Sequence, residues 1–219
     1  MKDIYTPKEL AENASTILVP KGNDNRNYRE AFAETTGMEI PAFTARRFRE
    51  YAGGRAFYLV KAIDIPALVA MRQTRQGIVI PPGDRVGVIG TDVLAERPAP
   101  ISSMRIGGEV CRFSLLAAAA APQLDIGDGR RPSKPVPVTT SYPRLLGQVC
   151  AYRDLPFVPV GISPDTTAYP SGSCEIMPDL IGVDYVADLV ASGATALDND
   201  KAEVMRLASI APELVWRQV

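Results

Sequence analysis

The segment VDYVADLVASGATALDN, Val183 to Asn199, contains an apolar run that stops abruptly at a cluster of small and hydroxyl-bearing residues. Strand-forming residues lead up to Val190, and the small residues extend from Ala191 to Thr195. A β-rich run followed by a small-residue turn and a helix start is the pattern of one βα unit. Packing alone gives no reason for so abrupt a change, so the segment indicates a strand-to-helix turn at the carboxyl edge of a sheet.

The same βα pattern recurs along the chain. It is found upstream in STILVPKG, RAFYLVKAIDIPALVAM and RVGVIGTDVLAE, which begin at Ser15, Arg55 and Arg85. A second set of strand and helix patterns begins with EVCRFSLLAAAAAP at Glu109 and ends with the opening segment. Loose matches between the two sets, such as VGVIGTDVLAE with ADLVASGATAL, indicate internal duplication.

Two similar α/β units predict two lobes with a ligand cleft between them, the architecture of type II periplasmic binding proteins. We expect the first lobe to contain residues 1–103 and 200–219, because the strand-like runs at the C-terminus should return to it. The second lobe should contain residues 104–199 and carry the opening segment.

The composition narrows the possible chemistry. The chain has 219 residues, a formal net charge of −1 and no histidine. The balanced charge excludes nucleic acid as the main partner, since binding a phosphate backbone needs a basic excess. The absence of histidine excludes histidine-based triads, histidine metal sites and imidazole acid–base catalysis. Any catalysis must therefore use carboxylates, lysine, arginine, hydroxyls and backbone amides.

The sequence predicts a cytoplasmic protein without a membrane partner. The first residues contain no apolar core of the length of a signal peptide, and no apolar run reaches transmembrane length. Cys111, Cys150 and Cys174 match neither a disulfide framework nor a zinc pattern, and we expect reduced thiols.

The opening turn has the residues to hold a phosphate. Small side chains from Ala191 to Thr195 let a phosphate approach the main chain, and the amides at the following helix start favour negative charge. Ser192 and Thr195 add hydroxyl donors. The turn is neither a Walker loop nor a GxGxxG fingerprint, so an ordinary tight turn remains the alternative at this point.

Three acids favour a ligand at this turn. Glu175, Asp184 and Asp188 converge in the sequence on the same edge. Carboxylates accept hydrogen bonds from hydroxyl groups, which a sugar attached to a phosphate would present. Helix capping or a solvated surface position is the alternative for each acid taken alone. Together with the turn, they predict a sugar-phosphate site.

The segment SGSCEIMPDLIGVDYVADLVASGATALDN, Ser171 to Asn199, resembles the phosphoribosyl-diphosphate segment of ATP phosphoribosyltransferases, the enzymes that open histidine biosynthesis. Other landmarks of that family follow in the same order, namely LVPKG, LVKAIDIPALV, VGVIGTDVLAE and TTSYPRLL. The resemblance covers most of Thr16 to Val219 and is to the short form, whose catalytic chain works with a separate synthetase-like regulatory subunit.

This resemblance implies a two-lobed enzyme, expected to be a homo-oligomer, that joins N1 of ATP to C1 of the ribose of phosphoribosyl diphosphate and releases pyrophosphate. Mg²⁺ is expected to be bound mainly through phosphoribosyl diphosphate, with no metal site made of protein side chains. Pyrophosphate bound to magnesium leaves readily and the adenine nitrogen needs no general base. The reaction therefore suits a protein without histidine.

Matching positions give the candidate residues their roles. The ribose 5-phosphate would be held by Ser192, Gly193, Ala194 and Thr195, with Asp184 as a further donor-binding candidate. The candidate catalytic residues are Asp188, Glu175 and Lys21. The candidates for binding the acceptor are Gly22, Arg46, Arg47, Lys61 and Tyr142. A solvated surface position is the alternative for Lys21 and the arginines, and simple packing is the alternative for Tyr142.

The sequence departs from the family pattern on the acceptor side. After PKG the family usually continues with arginine and leucine, whereas Asn23, Asp24 and Asn25 follow here. The exchange removes a cation and adds an anion where the acceptor is expected, and insertions around residues 72–84 and 161–170 also depart from the pattern. Two alternatives therefore stay open. One is the same donor with another nitrogenous acceptor in a specialised biosynthetic pathway, and the other is a non-catalytic phospho-ligand-binding protein.

Overall fold

The chain folds into two compact units. The computed structural model describes residues 5–22, 25–44, 46–118, 121, 124, 134–165 and 168–218. Unit 1 contains Met1–Val110 and Ala211–Val219, and unit 2 contains Cys111–Ile210. Unit 2 is therefore one continuous segment inserted into unit 1.

The elements of the described residues are as follows. The strands are β1 (Thr16–Pro20), β2 (Arg49–Ala52), β3 (Arg55–Val60), β4 (Arg85–Gly90), β5 (Ser102–Arg105), β6 (Cys111–Ala118), β7 (Val136–Thr140), β8 (Phe157–Val160), β9 (Tyr185–Val190), β10 (Lys201–Ile210) and β11 (Pro212–Trp216). The α-helices are α1 (Pro7–Asn13), α2 (Asn25–Thr36), α3 (Ile65–Ala70), α4 (Thr91–Glu96), α5 (Pro143–Arg153), α6 (Met177–Ile181) and α7 (Ala194–Asp198). Short 3₁₀ turns cover Ala62–Asp64 and Cys174–Ile176.

Each unit is built on one mixed sheet, and the two sheets share a topology. The strand order is β2-β3-β1-β4-β11-β5 in unit 1 and β10-β6-β9-β7-β8 in unit 2. In unit 1, β1 lies between its parallel neighbours β3 and β4, and β11 runs antiparallel to β4. In unit 2, β7 lies between its parallel neighbours β8 and β9, and β6 runs antiparallel to β9. The two α/β units predicted from the sequence are thus confirmed.

The sheet of unit 1 is covered on both faces at its centre, which explains why strands β1 and β4 are almost entirely apolar. Ile17 and Val19 of β1 belong to one buried cluster together with Phe32 of α2. Leu18 belongs to a second cluster together with Ile65 of α3. Because successive side chains of a strand point to opposite faces, these clusters lie on opposite sides of the sheet. The parallel strands are thereby fixed, and their carboxyl ends are aligned along one edge.

The strand β10 lies in a different unit from the one expected. The sequence assigned residues 200–219 to the first lobe, but β10 pairs antiparallel with β6 in unit 2, with Ile210 opposite Cys111. Only β11 returns to the sheet of unit 1, where it pairs with β4 and β5. The two runs are similar in local pattern, and pairing with β6, about 90 residues away in sequence, decides the sheet to which β10 belongs.

None of the helices described above is both long enough and apolar enough to cross a membrane.

We expect Gly87→Ala to lower the free energy of unfolding by about 2 kcal/mol or more, because overpacking a filled core is costly. A Cβ atom at Gly87 of β4 would lie 2.3 Å from the Ile65 Cγ2 atom and 3.2 Å from Cγ2 of Val215. Gly147→Ala in α5 is the control, since nothing lies within 4 Å of its added Cβ. In a helix interior, that exchange should raise stability by about 0.5–1 kcal/mol. Chemical denaturation of both variants measures the difference, and equal stability would contradict the packing described for β4.

Candidate active site

The predicted turn follows β9 in unit 2. Gly193 has φ +86°, a left-handed conformation that side chains disfavour, and α7 begins at the next residue. A Cβ there would make only ordinary contacts, at 3.9 Å from the Arg112 Nη2 atom and the Val190 Cγ1 atom. The backbone angle, rather than lack of space, therefore explains this glycine. Ser192, Ala194 and Thr195 are exposed, so the turn is accessible from solvent.

The turn offers several backbone donors. The Ala194 amide donates to the Ser192 hydroxyl oxygen at 3.3 Å, which leaves the hydroxyl hydrogen of Ser192 available for another acceptor. The amides of Ser192, Gly193, Thr195 and Ala196 have no acceptor among the described residues. This arrangement is chemically suited to an anion.

Asp188 and Glu175 interact near the carboxyl end of β9. Asp188 is half-buried, and its Oδ1 atom accepts a hydrogen bond of 2.7 Å from the Leu189 amide. The pKa of the Asp188 carboxyl is raised from 3.8 to about 6, mainly because burial disfavours the charged form and also because Glu175 is negative. Glu175 lies in the 3₁₀ turn before α6, and this turn packs on β9. The structure therefore brings these two predicted acids together.

Asp184 lies away from the turn. It is exposed and immediately precedes β9, whereas the turn follows that strand. A strand rises about 3.3 Å per residue, so roughly 20 Å separates Asp184 from Val190, the last residue before the turn. The acids that converge in the sequence thus do not all converge in space, because Asp184 is at the opposite edge of the sheet.

A second strand-to-helix turn lies at the same edge of unit 2. β7 is parallel to β9, with Thr140 opposite Ala187, and it leads through Ser141 and Tyr142 into α5. The Tyr142 ring packs edge-on against Phe113, with ring centroids 5.9 Å apart. Tyr142 therefore has a packing role, whatever else it contacts.

Ser141 connects this turn to the segment that carries Glu175. Its hydroxyl oxygen accepts a hydrogen bond of 2.9 Å from the Gly172 amide and lies 2.9 Å from the Cys174 Sγ atom. Burial raises the pKa of Cys174 to about 11, so its sulfur is a neutral thiol. Sequence reasoning did not single out this pair, because nothing in the local pattern places residues 141 and 174 side by side.

Several acceptor candidates lie at the carboxyl edge of unit 1. β1 and β3 are parallel, with Pro20 opposite Val60, so Lys21 and Lys61 leave the sheet at the same edge. The Lys21 amide donates to the Val60 oxygen at 2.7 Å, and its Nζ atom lies 4.4 Å from the centre of the Phe48 ring. Gly22 and Lys61 are exposed. Asn23 and Asp24 lie outside the described residues.

The two arginine candidates for acceptor binding also lie close to this edge. Arg46 and Arg47 are exposed and precede β2, which pairs antiparallel with β3. The Leu59 amide donates to the Phe48 oxygen at 2.9 Å, which places the segment before β2 alongside the end of β3. The neighbouring Arg49 makes a cation–π contact at the surface, with its guanidinium carbon 5.4 Å from the centre of the Tyr51 ring.

One buried acid at the edge of unit 1 was missed. Asp92 follows β4, is 5% exposed, and its Oδ1 atom has no hydrogen-bond partner among the described residues. Burial is the main reason that its pKa is raised to about 6. The sequence did contain an indication of this acid. In VGVIGTDVLAE, Asp92 comes just after strand β4, in the same way that the small-residue turn comes just after strand β9.

Within the described ranges, no group of three or more His, Cys, Asp or Glu side chains is arranged to hold a metal ion.

Comparison with known proteins gives consistent matches. The family model described as ATP phosphoribosyltransferase matches residues 81–219. The ATP phosphoribosyltransferase of Aquifex aeolicus is 32% identical over 185 residues, covering 84% of this chain and 75% of that protein. That of Rhizorhabdus wittichii is 28% identical over 209 residues, covering 91% of this chain and 84% of that protein. The ATP phosphoribosyl transferase (HisG:HisZ) complex from Thermotoga maritima shares the fold, with a TM-score of 0.57 and 17% identity over 92% of this chain and 87% of that chain.

These matches place the chain in the class of pentosyltransferases, glycosyltransferases that move a five-carbon sugar. Within that class, the chain belongs to the ATP phosphoribosyltransferase family. The resemblance found in the sequence is confirmed. The matched range contains all of unit 2, including Asp188 and Gly193, and it begins after Lys21 and Lys61.

Proposed function

We propose that this protein transfers the 5-phosphoribosyl group from phosphoribosyl diphosphate to N1 of ATP and releases pyrophosphate, the first reaction of histidine biosynthesis. The observation that carries the proposal is the exposed turn after β9, with its unpaired amides and the neighbouring Asp188, inside the range matched by the family. Membership of the family supplies the identities of donor and acceptor.

The donor belongs at the carboxyl edge of unit 2 in this proposal. The amides and hydroxyls of Ser192 to Thr195 bind the ribose 5-phosphate, and Asp188 and Glu175 accept hydrogen bonds from the ribose hydroxyls. Near pH 7 the Asp188 carboxyl is mostly ionised, since its pKa is about 6. Asp184 is left out of this assignment because of its position at the opposite edge.

The acceptor belongs at the carboxyl edge of unit 1. Lys21, Lys61, Arg46 and Arg47 supply positive charge for the acceptor's phosphates, and Gly22 lets them approach the backbone. The Lys21 ammonium group has three N–H donors, so it can serve this role beside its contact with Phe48. Tyr142, a further acceptor candidate from the sequence, has an aromatic ring that can stack on a base.

The reaction needs positioning more than proton transfer. The lone pair of N1 forms the bond to C1 while the bond from C1 to the pyrophosphate oxygen breaks, and the electron pair leaves with pyrophosphate. When bound through the diphosphate, Mg²⁺ would supply charge neutralisation for this leaving group. The protein holds the two reactants in line and stabilises positive charge on the ribose through nearby carboxylates.

We also propose a homo-oligomeric, cytoplasmic enzyme that works with a synthetase-like regulatory subunit. The Thermotoga maritima ATP phosphoribosyl transferase is a HisG:HisZ complex of two components, which supports such a partner. The resemblance to the short form supports the same assignment.

Asn23 and Asp24 favour a second candidate, the same donor reaction with another nitrogenous acceptor. They replace a basic residue of the family pattern, and added negative charge disfavours a triphosphate.

Purified protein incubated with phosphoribosyl diphosphate, Mg²⁺ and ATP, with and without the regulatory subunit, tests these candidates. We expect pyrophosphate release together with an ATP adduct detected by mass spectrometry. Inactivity with ATP but turnover of another base would favour the second candidate. Tight donor binding without turnover across a broad acceptor panel would indicate a binding protein instead.

A further inference from the structure

Arg112 of β6 contacts the turn after β9 from within unit 2. Its Nη1 atom donates to the Ala191 carbonyl at 3.0 Å and to the Val190 carbonyl at 3.4 Å. These are the last residue of β9 and the first residue of the turn. The guanidinium therefore lies against the side of the turn on which these carbonyl oxygens point.

A carboxylate on the neighbouring strand holds this guanidinium in place. The Arg112 Nε atom donates to Glu203 Oε1 at 2.8 Å, and the Ser114 hydroxyl donates to the same oxygen at 2.7 Å. The side chains of Arg112 and Glu203 are 26% and 30% exposed, so water screens this ion pair only in part. The planar, multiply bonded guanidinium is thus oriented by strands β6 and β10 together.

The hydrogen bond from Arg112 to the Ala191 carbonyl also fixes the direction of the Ser192 N–H, because the peptide bond that joins the two groups is planar. In a trans peptide, the carbonyl and the following N–H point to opposite sides. Because Arg112 holds the Ala191 carbonyl, the N–H of Ser192 is directed away from the guanidinium. That N–H has no acceptor among the described residues, so it is available to a ligand on the far side of the turn.

We propose that Arg112, held by Glu203 and Ser114, is a positioning residue that orients the turn amides toward the 5-phosphate of the sugar. This inference rests on the proposed function of that turn. In this arrangement Arg112 does not touch the phosphate, and its charge is balanced by Glu203. Its contribution lies in keeping the amide of Ser192 fixed before the ligand arrives, which lowers the entropic cost of binding.

Calorimetric titration with ribose 5-phosphate, with ribose as the control ligand, tests this role in the full-length protein. We expect Arg112→Met to weaken ribose 5-phosphate binding by about tenfold, the usual scale for lost hydrogen bonds to a charged group. In steady-state assays, the KM for phosphoribosyl diphosphate should rise while the KM for ATP stays within a factor of two or so, since the change is local to the turn.

Arg153→Met is the matched control. Arg153 also lies in unit 2 and donates to two carbonyls, those of Arg206 and Leu207, at 2.7 and 2.9 Å. These carbonyls belong to β10 rather than to the turn, so the control should lose comparable hydrogen bonds without losing ribose 5-phosphate affinity. If circular dichroism shows that Arg112→Met does not fold, Glu203→Gln is tested instead. Glutamine keeps the shape of glutamate but weakens the hydrogen bonds that hold the Arg112 guanidinium.

The outcomes separate this inference from the proposed function. Wild-type protein that fails to bind ribose 5-phosphate better than ribose would overturn the phosphate site itself. If the wild type binds ribose 5-phosphate and folded Arg112→Met binds it equally tightly, only the role of Arg112 is overturned. The same holds for Glu203→Gln where that variant is used. Equal losses in the Arg112 and Arg153 variants would also overturn it, since they would indicate a general structural effect.

Discussion

Gly193→Asp is expected to abolish binding of phosphoribosyl diphosphate while leaving the fold largely intact. The substitution adds a carboxylate to the turn that should bind the 5-phosphate. Its Cβ would lie 3.9 Å from the Arg112 Nη2 atom, but Glu203 already pairs with that guanidinium, so the added charge is not neutralised. Two like charges about 4 Å apart repel by several kcal/mol at an intermediate dielectric constant. A loss of at least about a hundredfold in affinity follows from repulsion of that size. Titration calorimetry measures the affinity, and circular dichroism tests the fold.

Gly193→Asn is the control that isolates the charge. Asparagine has nearly the same shape as aspartate, and both tolerate the left-handed angle that Gly193 adopts, φ +86°. The two variants should therefore be similarly stable, and the asparagine variant should keep much of its donor affinity. Equal and small losses in both variants, or unchanged affinity of the aspartate variant, would contradict a phosphate site at this turn.

Asp188→Asn is expected to lower turnover by about a hundredfold or more and at the same time to raise stability at pH 7. The loss follows from removing a negative charge that stabilises the transition state, for which a factor of about 10²–10³ is typical. The gain follows from the raised pKa of Asp188, about 6 in the folded protein against 3.8 ordinarily. A difference of about two pH units corresponds to roughly 2–3 kcal/mol.

The pH dependence checks the sign of this effect. Because the folded state binds the Asp188 proton more tightly, the wild type loses stability as the pH rises from about 4 to about 6. The asparagine variant should lose less stability over that window, so the two unfolding curves diverge toward neutral pH. Stabilities that differ by the same amount at pH 4 and pH 7 would refute the burial of this charge.

Asp184→Asn supplies the matched control on the same strand. Asp184 is exposed and lies at the other end of β9. Its substitution should leave turnover and stability nearly unchanged, because a surface exchange of this kind usually costs little. A large loss of donor affinity would show that Asp184 belongs to the donor site in spite of its position.

Much of the fold was predictable because its strands have strong local patterns. The apolar runs of β1, β4 and β9 each end where the chain turns toward a helix, and parallel strands align such turns at one edge. The sheet that β10 joins was not predictable, since its local pattern is compatible with either unit. Long-range pairing with β6 decides it.

The candidate site was predicted only in part, for a related reason. Asp188 and the turn are adjacent in sequence, so the sequence pattern alone predicted that they lie at one site. Asp184 is also near in sequence, but a strand separates residues that a helix would keep close. Arg112 and Glu203 are 91 residues apart and meet only through the pairing of β6 with β10. Contacts of that kind leave no trace in a single sequence.

The ends of unit 2 are neighbours. Cys111 and Ile210, its first and last residues, lie opposite each other where β6 pairs with β10. A segment whose ends meet in this way can be cut out, circularly permuted or grafted into another host with a short closing loop. Unit 2 is therefore suited to laboratory recombination, which could join it to other host domains without redesigning its sheet.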